Sequence, residues 1–293
     1  MKIMKTPICL TLLLLSLGIA LFAVNVDAQT PFSGAIIISN EGSINPISAP
    51  IQKSGETYTL LESFTGNITV QRDNIVLDGV GFVVTSTVTG TETTVGVDLS
   101  YRSNIRVTNL QVSGFVQGIH LLNSSGCTII GNNITGNIDG IRIDNSTNNS
   151  FIGNNITANR HGIHPYEGNE FYHNNFVNSS DRDVFFDSPN NVDTWDNGYP
   201  SGGNYWSNYT GVDEKKGSSQ SDAGSDGIGD TQQIISPNNT DRYPLIAPYV
   251  YASQPTSQQD LLWVYAAIVV VVAIAIVIVA FLFFRRRAAP QKQ

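Results

Sequence analysis

Two cysteines, two methionines and 14% charged residues are few for a chain of 293 residues. Cys9, Met1 and Met4 all fall in the first 28 positions, which read as a removable leader, so the exported chain keeps Cys127 alone. A lone cysteine forms no internal disulfide, and without Met or paired Cys there is no soft site for copper. The marks of disordered, collagen-like and coiled-coil chains are missing too, since 41% hydrophobic residues place the chain in the globular range.

Much of that apolar content sits at the two ends. Residues 1–28 run from a basic start, Met1-Lys2-Ile3-Met4-Lys5, through an apolar stretch from Ile8 to Val24, to Val26-Asp27-Ala28. This is the order of a secretory signal peptide, with cleavage expected after Ala28. Residues 261–284, Leu261 to Phe284, hold no charge and precede Arg285-Arg286-Arg287. At about 1.5 Å per residue they would reach about 36 Å, enough for a transmembrane helix. Trp263 and Tyr265 at one end and the arginines at the other orient it with the ectodomain outside and residues 285–293 as a cytoplasmic tail. The expected location is therefore the cell membrane, as a single-pass protein. Between the ends, 10 basic and 23 acidic residues give a net charge of −13, which repels nucleic acid and anionic lipid and attracts cations.

The ectodomain repeats itself. Gly118-Ile119-His120, Gly140-Ile141-Arg142 and Gly162-Ile163-His164 recur every 22 residues, and Asn109-Leu110, Asn133-Ile134, Asn155-Ile156 and Asn175-Phe176 recur 24, 22 and 20 apart. Strands this short, separated by Asn, Gly and Ser, cannot bury an apolar face alone; each must lie about 4.8 Å from its counterpart in the next repeat. The fold class is all-β, a right-handed parallel β-helix with coils of about 22 residues, followed by one C-terminal transmembrane helix. Roughly six turns are expected between Ile51 and Phe186, the 28 asparagines favouring corners and amide ladders. The expected divisions are a β-helix with its N-terminal cap over 29–186, a C-terminal cap over 187–250 and a linker over 251–260.

Two stretches say more than the repeat does. One is Asn104-Ile105-Arg106-Val107-Thr108-Asn109 with Gly114-Phe115 and Gly118-Ile119. The other is Asn174-Asn175-Phe176, Trp195-Asp196-Asn197-Gly198-Tyr199-Pro200-Ser201-Gly202-Gly203-Asn204-Tyr205-Trp206-Ser207, Asp226-Gly227-Ile228-Gly229-Asp230 and Asp241-Arg242-Tyr243-Pro244-Leu245. On these residues nearly the whole ectodomain resembles archaeal cell-surface proteins of the NosD type, right-handed β-helices with carbohydrate-binding and sugar-hydrolase repeats. The resemblance also implies a copper-handling accessory role, after the periplasmic copper-binding protein that names the family.

Alternation places His120, Arg142 and His164 in one outward column, Gln117, Asp139 and His161 in a second, and Leu122, Asp144 and Tyr166 in a third. Asp139, Arg142, Asp144, His161, His164 and Tyr166 thus share one wall, open to three readings: paired surface charges, a glycan-binding face, or a weak Zn²⁺ or Cu²⁺ site built on the three imidazoles. No second carboxylate column completes a cleft, so no catalytic residue is assigned and the chain leans away from being an enzyme. Asp222, Asp226 and Asp230 have spacing suited to a Ca²⁺ loop but lack its strong bidentate ligand. Nine glycosylation sequons begin at Asn67, Asn123, Asn133, Asn145, Asn148, Asn155, Asn178, Asn208 and Asn238. The leading expectation is a membrane-anchored, non-catalytic module that binds envelope polysaccharide or a surface-layer protein. The alternatives are a polysaccharide lyase or hydrolase using that wall, and copper handling.

Overall fold

A repeat of about 22 residues buries its aliphatic edge only if like residues stack coil over coil, and the strand pairing of the computed structural model, which describes residues 30–86 and 93–252, does this. Ile119, Ile141 and Ile163 pair in register, as do Val107, Ile129, Phe151 and Phe171, and Val112, Ile134, Ile156 and Phe176. All eleven are fully buried. At roughly 2 kcal/mol per enclosed aliphatic or aromatic side chain, these columns are the main source of cohesion between coils.

The parallel sheets curl into three faces. One face, here called the wall, stacks Phe64–Val70, Val95–Asp98, Gln117–Leu122, Asp139–Asp144, His161–His164 and Arg182–Val184. The second stacks Thr57–Leu60, Val76–Asp78, Arg106–Thr108, Thr128–Ile130, Ser150–Ile152 and Glu170–Tyr172. The third stacks Val83–Thr85, Gln111–Ser113, Asn133–Thr135, Asn155–Thr157, Asn175–Val177 and Tyr205–Trp206. Six rungs per face match the expected six turns, and every pairing between residues 104 and 177 is parallel. This is the curled sheet of a right-handed β-helix, the hand favoured for crossovers between parallel strands. At the N-terminal end, Ser33–Ile38 lies parallel on Phe64–Val70, and Ile51–Ser54 folds back antiparallel on Thr57–Leu60.

Asparagine serves the corners in two ways. Asn74, Asn104, Asn109, Asn123, Asn145, Asn148 and Asn178 take positive φ between 45° and 58°, which their short amides tolerate. A separate set points inward as ladders: Asn132, Asn154 and Asn174 each pass an Nδ2–H to the Oδ1 of the next, ending on Asn204, at 2.9 to 3.0 Å. Each amide also donates to a backbone carbonyl one coil back, so buried turns keep their polar groups satisfied.

The solenoid runs past residue 186. Asn204 ends one ladder and Tyr205–Trp206 forms the last rung of the third face. Trp195 stacks on Phe171 at 4.5 Å and Trp206 on Phe176 at 4.4 Å, so the conspicuous aromatic stretch plugs the end of the core. Asp241 Oδ2 accepts from Asn204 N–H and from the Trp206 indole, and a Cβ at Gly203 would lie 1.9 Å from Asp241 Oδ1. Arg242 grips Asp196 through two nitrogens at 2.9 and 2.6 Å. The Gly-Gly-Asn-Tyr-Trp and Asp-Arg-Tyr segments are thus two halves of one lid. Among the described residues no helix is long and apolar enough to cross a membrane. The expected signal peptide, the transmembrane run and the tail lie outside the described residues, as does most of the linker.

Candidate functional site

Strict alternation along Asp139-Gly140-Ile141-Arg142 would set Asp139 and Arg142 on opposite faces. They share the wall because Gly140 and Ile141 both face inward. A Cβ at Gly140 would lie 2.5 Å from the Gly162 carbonyl oxygen and 2.9 Å from Asn159 Nδ2, and Gly118 has the same surroundings one coil earlier. Only glycine fits two inward positions in succession, and the residue before it is turned back onto the wall.

The polar side chains of four coils then form one network. Arg142 binds Asp144 through Nε at 2.9 Å and Nη2 at 3.0 Å, reaches Asp187 at 3.3 Å, and lies 3.6 Å from Asp139. His120 Nε2 meets the same Asp144 at 3.0 Å. Burial pushes Asp144 up, but the bonds from Arg142 and His120 outweigh it and hold the carboxyl below its usual range.

His161 and His164 stack with ring centroids 5.6 Å apart and are held in opposite ways. His161 faces a carboxylate at each nitrogen: Asp139 Oδ1 at 2.7 Å from Nδ1 and Asp181 Oδ2 at 3.1 Å from Nε2. Ionised carboxylates only accept, so with both bonds formed the ring donates twice and carries a proton it can give. His164 instead receives Arg142 Nη1–H on Nδ1 at 2.8 Å, which requires that nitrogen to be bare. Burial depresses the His164 pKa; Asp139 and Asp187 oppose the shift, while Arg142 and His161 add to it. Phe185, 4.4 Å from the His164 ring and 4.8 Å from His161, covers both. The expectation of an open, solvated wall is corrected here: Asp139, His161 and His164 are buried.

Of the wall residues expected from the sequence, Asp139, Arg142, Asp144, His161 and His164 come together. Tyr166 lies past the end of the strand, which stops at His164 ahead of Pro165, and its backbone carbonyl accepts from Asn169. His120 belongs to the Asp144 end, apart from the other two imidazoles. The sequence reading missed Asp98, Asp181, Asp187 and Phe185. The 22-residue interval leads from His120 back to Asp98, its register partner, whereas Asp187 reaches the cluster from beyond the last strand. Asp226 and Asp230 are taken up by backbone N–H groups of Gly217, Ile228, Glu214 and Lys215, and Asp222 lies exposed on a two-residue strand, so the structure does not gather the three as a calcium loop. All nine sequon asparagines are exposed or half-exposed.

A sequence model of the family described as periplasmic copper-binding protein (NosD) matches residues 22–211. No curated protein matches the chain. Among solved structures, a point mutant of the periplasmic alginate epimerase AlgG is similar at 21% identity and a TM-score of 0.23. The similarity covers 44% of this chain and 34% of that one, so the matched region spans about a third of the epimerase.

Copper, present in the family description, would find donors only in part. Among the described residues, ligand atoms of Asp139, His161 and His164 lie within 4.8 Å of one another, an oxygen and nitrogen set of the kind Cu²⁺ accepts. Arg142 already supplies the positive charge there, 2.8 Å from His164 Nδ1 and 3.6 Å from Asp139, and Cys127 is buried elsewhere. As folded, the cluster does not fit a copper ion.

Proposed function

The chain belongs to the NosD family of β-helix proteins, and on that premise we propose that it is an exported, membrane-anchored solenoid whose wall acts on an envelope polysaccharide. The observation that carries the reading is the stacked histidine pair with opposite partners, two carboxylates on His161 and the Arg142 guanidinium on His164. One imidazole with a proton to give beside one with a nitrogen bare is the equipment of general acid and base catalysis, and proteins create such pairs by giving neighbouring groups contrasting surroundings. Arg142, fixed by Asp144, and Asp139 orient the two rings. In this reading His161 protonates the glycosidic oxygen as its bond to the anomeric carbon breaks, and His164 takes a proton from the water that bonds to that carbon. Rungs about 4.8 Å apart present a long surface suited to a polymer. Asp98, Asp144, Asp181 and Asp187 along it favour a neutral chain over a polyanion.

A depolymerisation assay on neutral polysaccharides tests this. His161→Asn should lower turnover about 10² to 10⁴-fold, the range for loss of a general acid or base. Because the His164 pKa is depressed, the base stays deprotonated below the ordinary imidazole value, so activity should persist under pH 6.5, approximately, on the acid limb. Binding without turnover would instead support a non-catalytic glycan-binding module, and a His161→Asn protein of full activity would sink the assignment.

A further inference from the structure

Arg182–Val184 is the terminal strand of the wall: one edge pairs with His161–His164, and among the described residues no strand follows on the other. Beyond that edge lies a groove of about 460 Å³, closed on its far side by Gln233–Ile235 of the C-terminal segment. Its size falls in the range of small-ligand sites, roughly 300 to 1,000 Å³.

The residue at the groove's edge breaks the pattern of the coils beneath. Asp183 follows Gly118, Gly140 and Gly162 in register, positions where a Cβ would meet the next coil's carbonyl at 2.5 Å. Above the last coil that carbonyl is missing and a side chain is admitted, yet the one present is a carboxylate. Its Oδ1 is buried without a hydrogen-bond partner, and so is Ser179 Oγ on the same lining. Only two other described side chains carry such an atom, Asp193 and Gln220. A buried polar atom left unpaired costs about 1–3 kcal/mol, which a structural role does not repay. Two on one groove mark a surface arranged for hydrogen bonds from outside the chain.

We propose that this groove is a subsite for a neutral sugar residue of the polymer engaged by the wall. Sugar hydroxyls donate to Asp183 and Ser179 and exchange bonds with Gln233, while the exposed Ile234 offers an apolar patch to a pyranose C–H face. Arg182 also lines the groove, its guanidinium 5.0 Å from the Phe185 ring centre and its Nε 3.6 Å from Asp181 Oδ1, so Asp183 is the carboxylate left to disfavour an anionic sugar. Asp181 joins the two sites, since it lines the groove and faces His161 Nε2 at 3.1 Å. The proposal rests on the wall reading for the polymer, but the binding it describes stands without catalysis.

The test titrates the full chain calorimetrically with cello-, manno- and chitohexaose, with an alginate hexamer as the anionic control. At least one neutral hexaose should bind and the alginate hexamer should not. Ser179→Ala and Asp183→Gly, the latter restoring the residue of the lower coils, should each weaken binding by about tenfold, the equivalent of one lost hydrogen bond to a charged or buried group. Neither should lower Tm, since each removes an unsatisfied group. Unchanged affinity in both variants, or no neutral hexaose bound by the parent chain, overturns the groove. Turnover of a neutral polymer that both variants retain in full sinks the groove alone. Hexaose binding lost in the variants, with no turnover in the parent, sinks only the catalytic wall.

Discussion

At the scale of single residues, the positions that depart from the repeat are more telling than those that obey it. Asp193 stands where a ladder of Asn149 and Asn169 would continue, and Asn169 N–H donates to its Oδ1 at 2.9 Å. Its Oδ2 is buried without a partner, and burial pushes the carboxyl up to about 7 against the bonds from Asn169. A raised carboxyl gives stability that is complete below the unfolded value near 4 and lost as pH rises through about 7. Asp193→Asn should therefore stabilise the fold by on the order of 1–3 kcal/mol at pH 8 and hardly at all near pH 3.5. Thermal unfolding at the two pH values checks this, and a variant less stable at both would show that the charge is needed. Asp183 breaks its glycine column in the same way. The outward histidines and Arg142 could be placed from the 22-residue spacing alone. The partners of His161 could not all be placed, because Asp181, at its Nε2, lies 20 residues on, where the 22-residue spacing does not align it.

At the scale of the coil, glycine and asparagine do what aliphatic stacking cannot. Three aliphatic columns hold the coils together, but corners bury peptide groups, and the inward amides satisfy them. Asn154 is fully buried: it donates to Asn174 and to the Ile129 carbonyl, and accepts from Asn132. Asn154→Ala should cost about 2–4 kcal/mol, as several buried groups lose partners together, and Asn154→Asp should cost at least as much by adding a buried charge. Chemical denaturation measures both; a loss under about 0.5 kcal/mol would mean that the ladder is incidental. The sequence announced the strands and the asparagine-rich corners plainly. It did not distinguish the asparagines that turn the chain from those that line its interior, since both kinds occur as single asparagines, Asn104 and Asn123 at turns and Asn137 and Asn159 inside. The sequence reading placed Asp139 beside Arg142 on one wall but not the cause, which is that Gly140 and Ile141 both face inward.

At the scale of the molecule, the segments that most resemble the family prove to be structural. Trp195, Trp206, Gly203, Asp241 and Arg242 close the end of the solenoid, and Asp226 and Asp230 tie backbone turns beside it. The chemistry we propose lies instead on the wall and in the groove where the wall stops. The chain after the lid returns along the solenoid: Tyr249 stacks on His173 at 4.2 Å, and Tyr251 sits over Gly131 and Gly153, where a Cβ would lie 2.1 and 2.9 Å from its ring. These two glycines thus serve the docking of the last described residues, a role that a repeat read within single coils does not show.

The paired histidines are the centre of this account, and the nitrogen resonances of their rings report the arrangement directly. In the full chain labelled with ¹⁵N-histidine, His161 should show hydrogen bonds from both ring nitrogens to its two carboxylates, and His164 a bare Nδ1 with hydrogen on Nε2 alone. Two rings of the same protonation state, or a His164 carrying hydrogen on Nδ1, would contradict it.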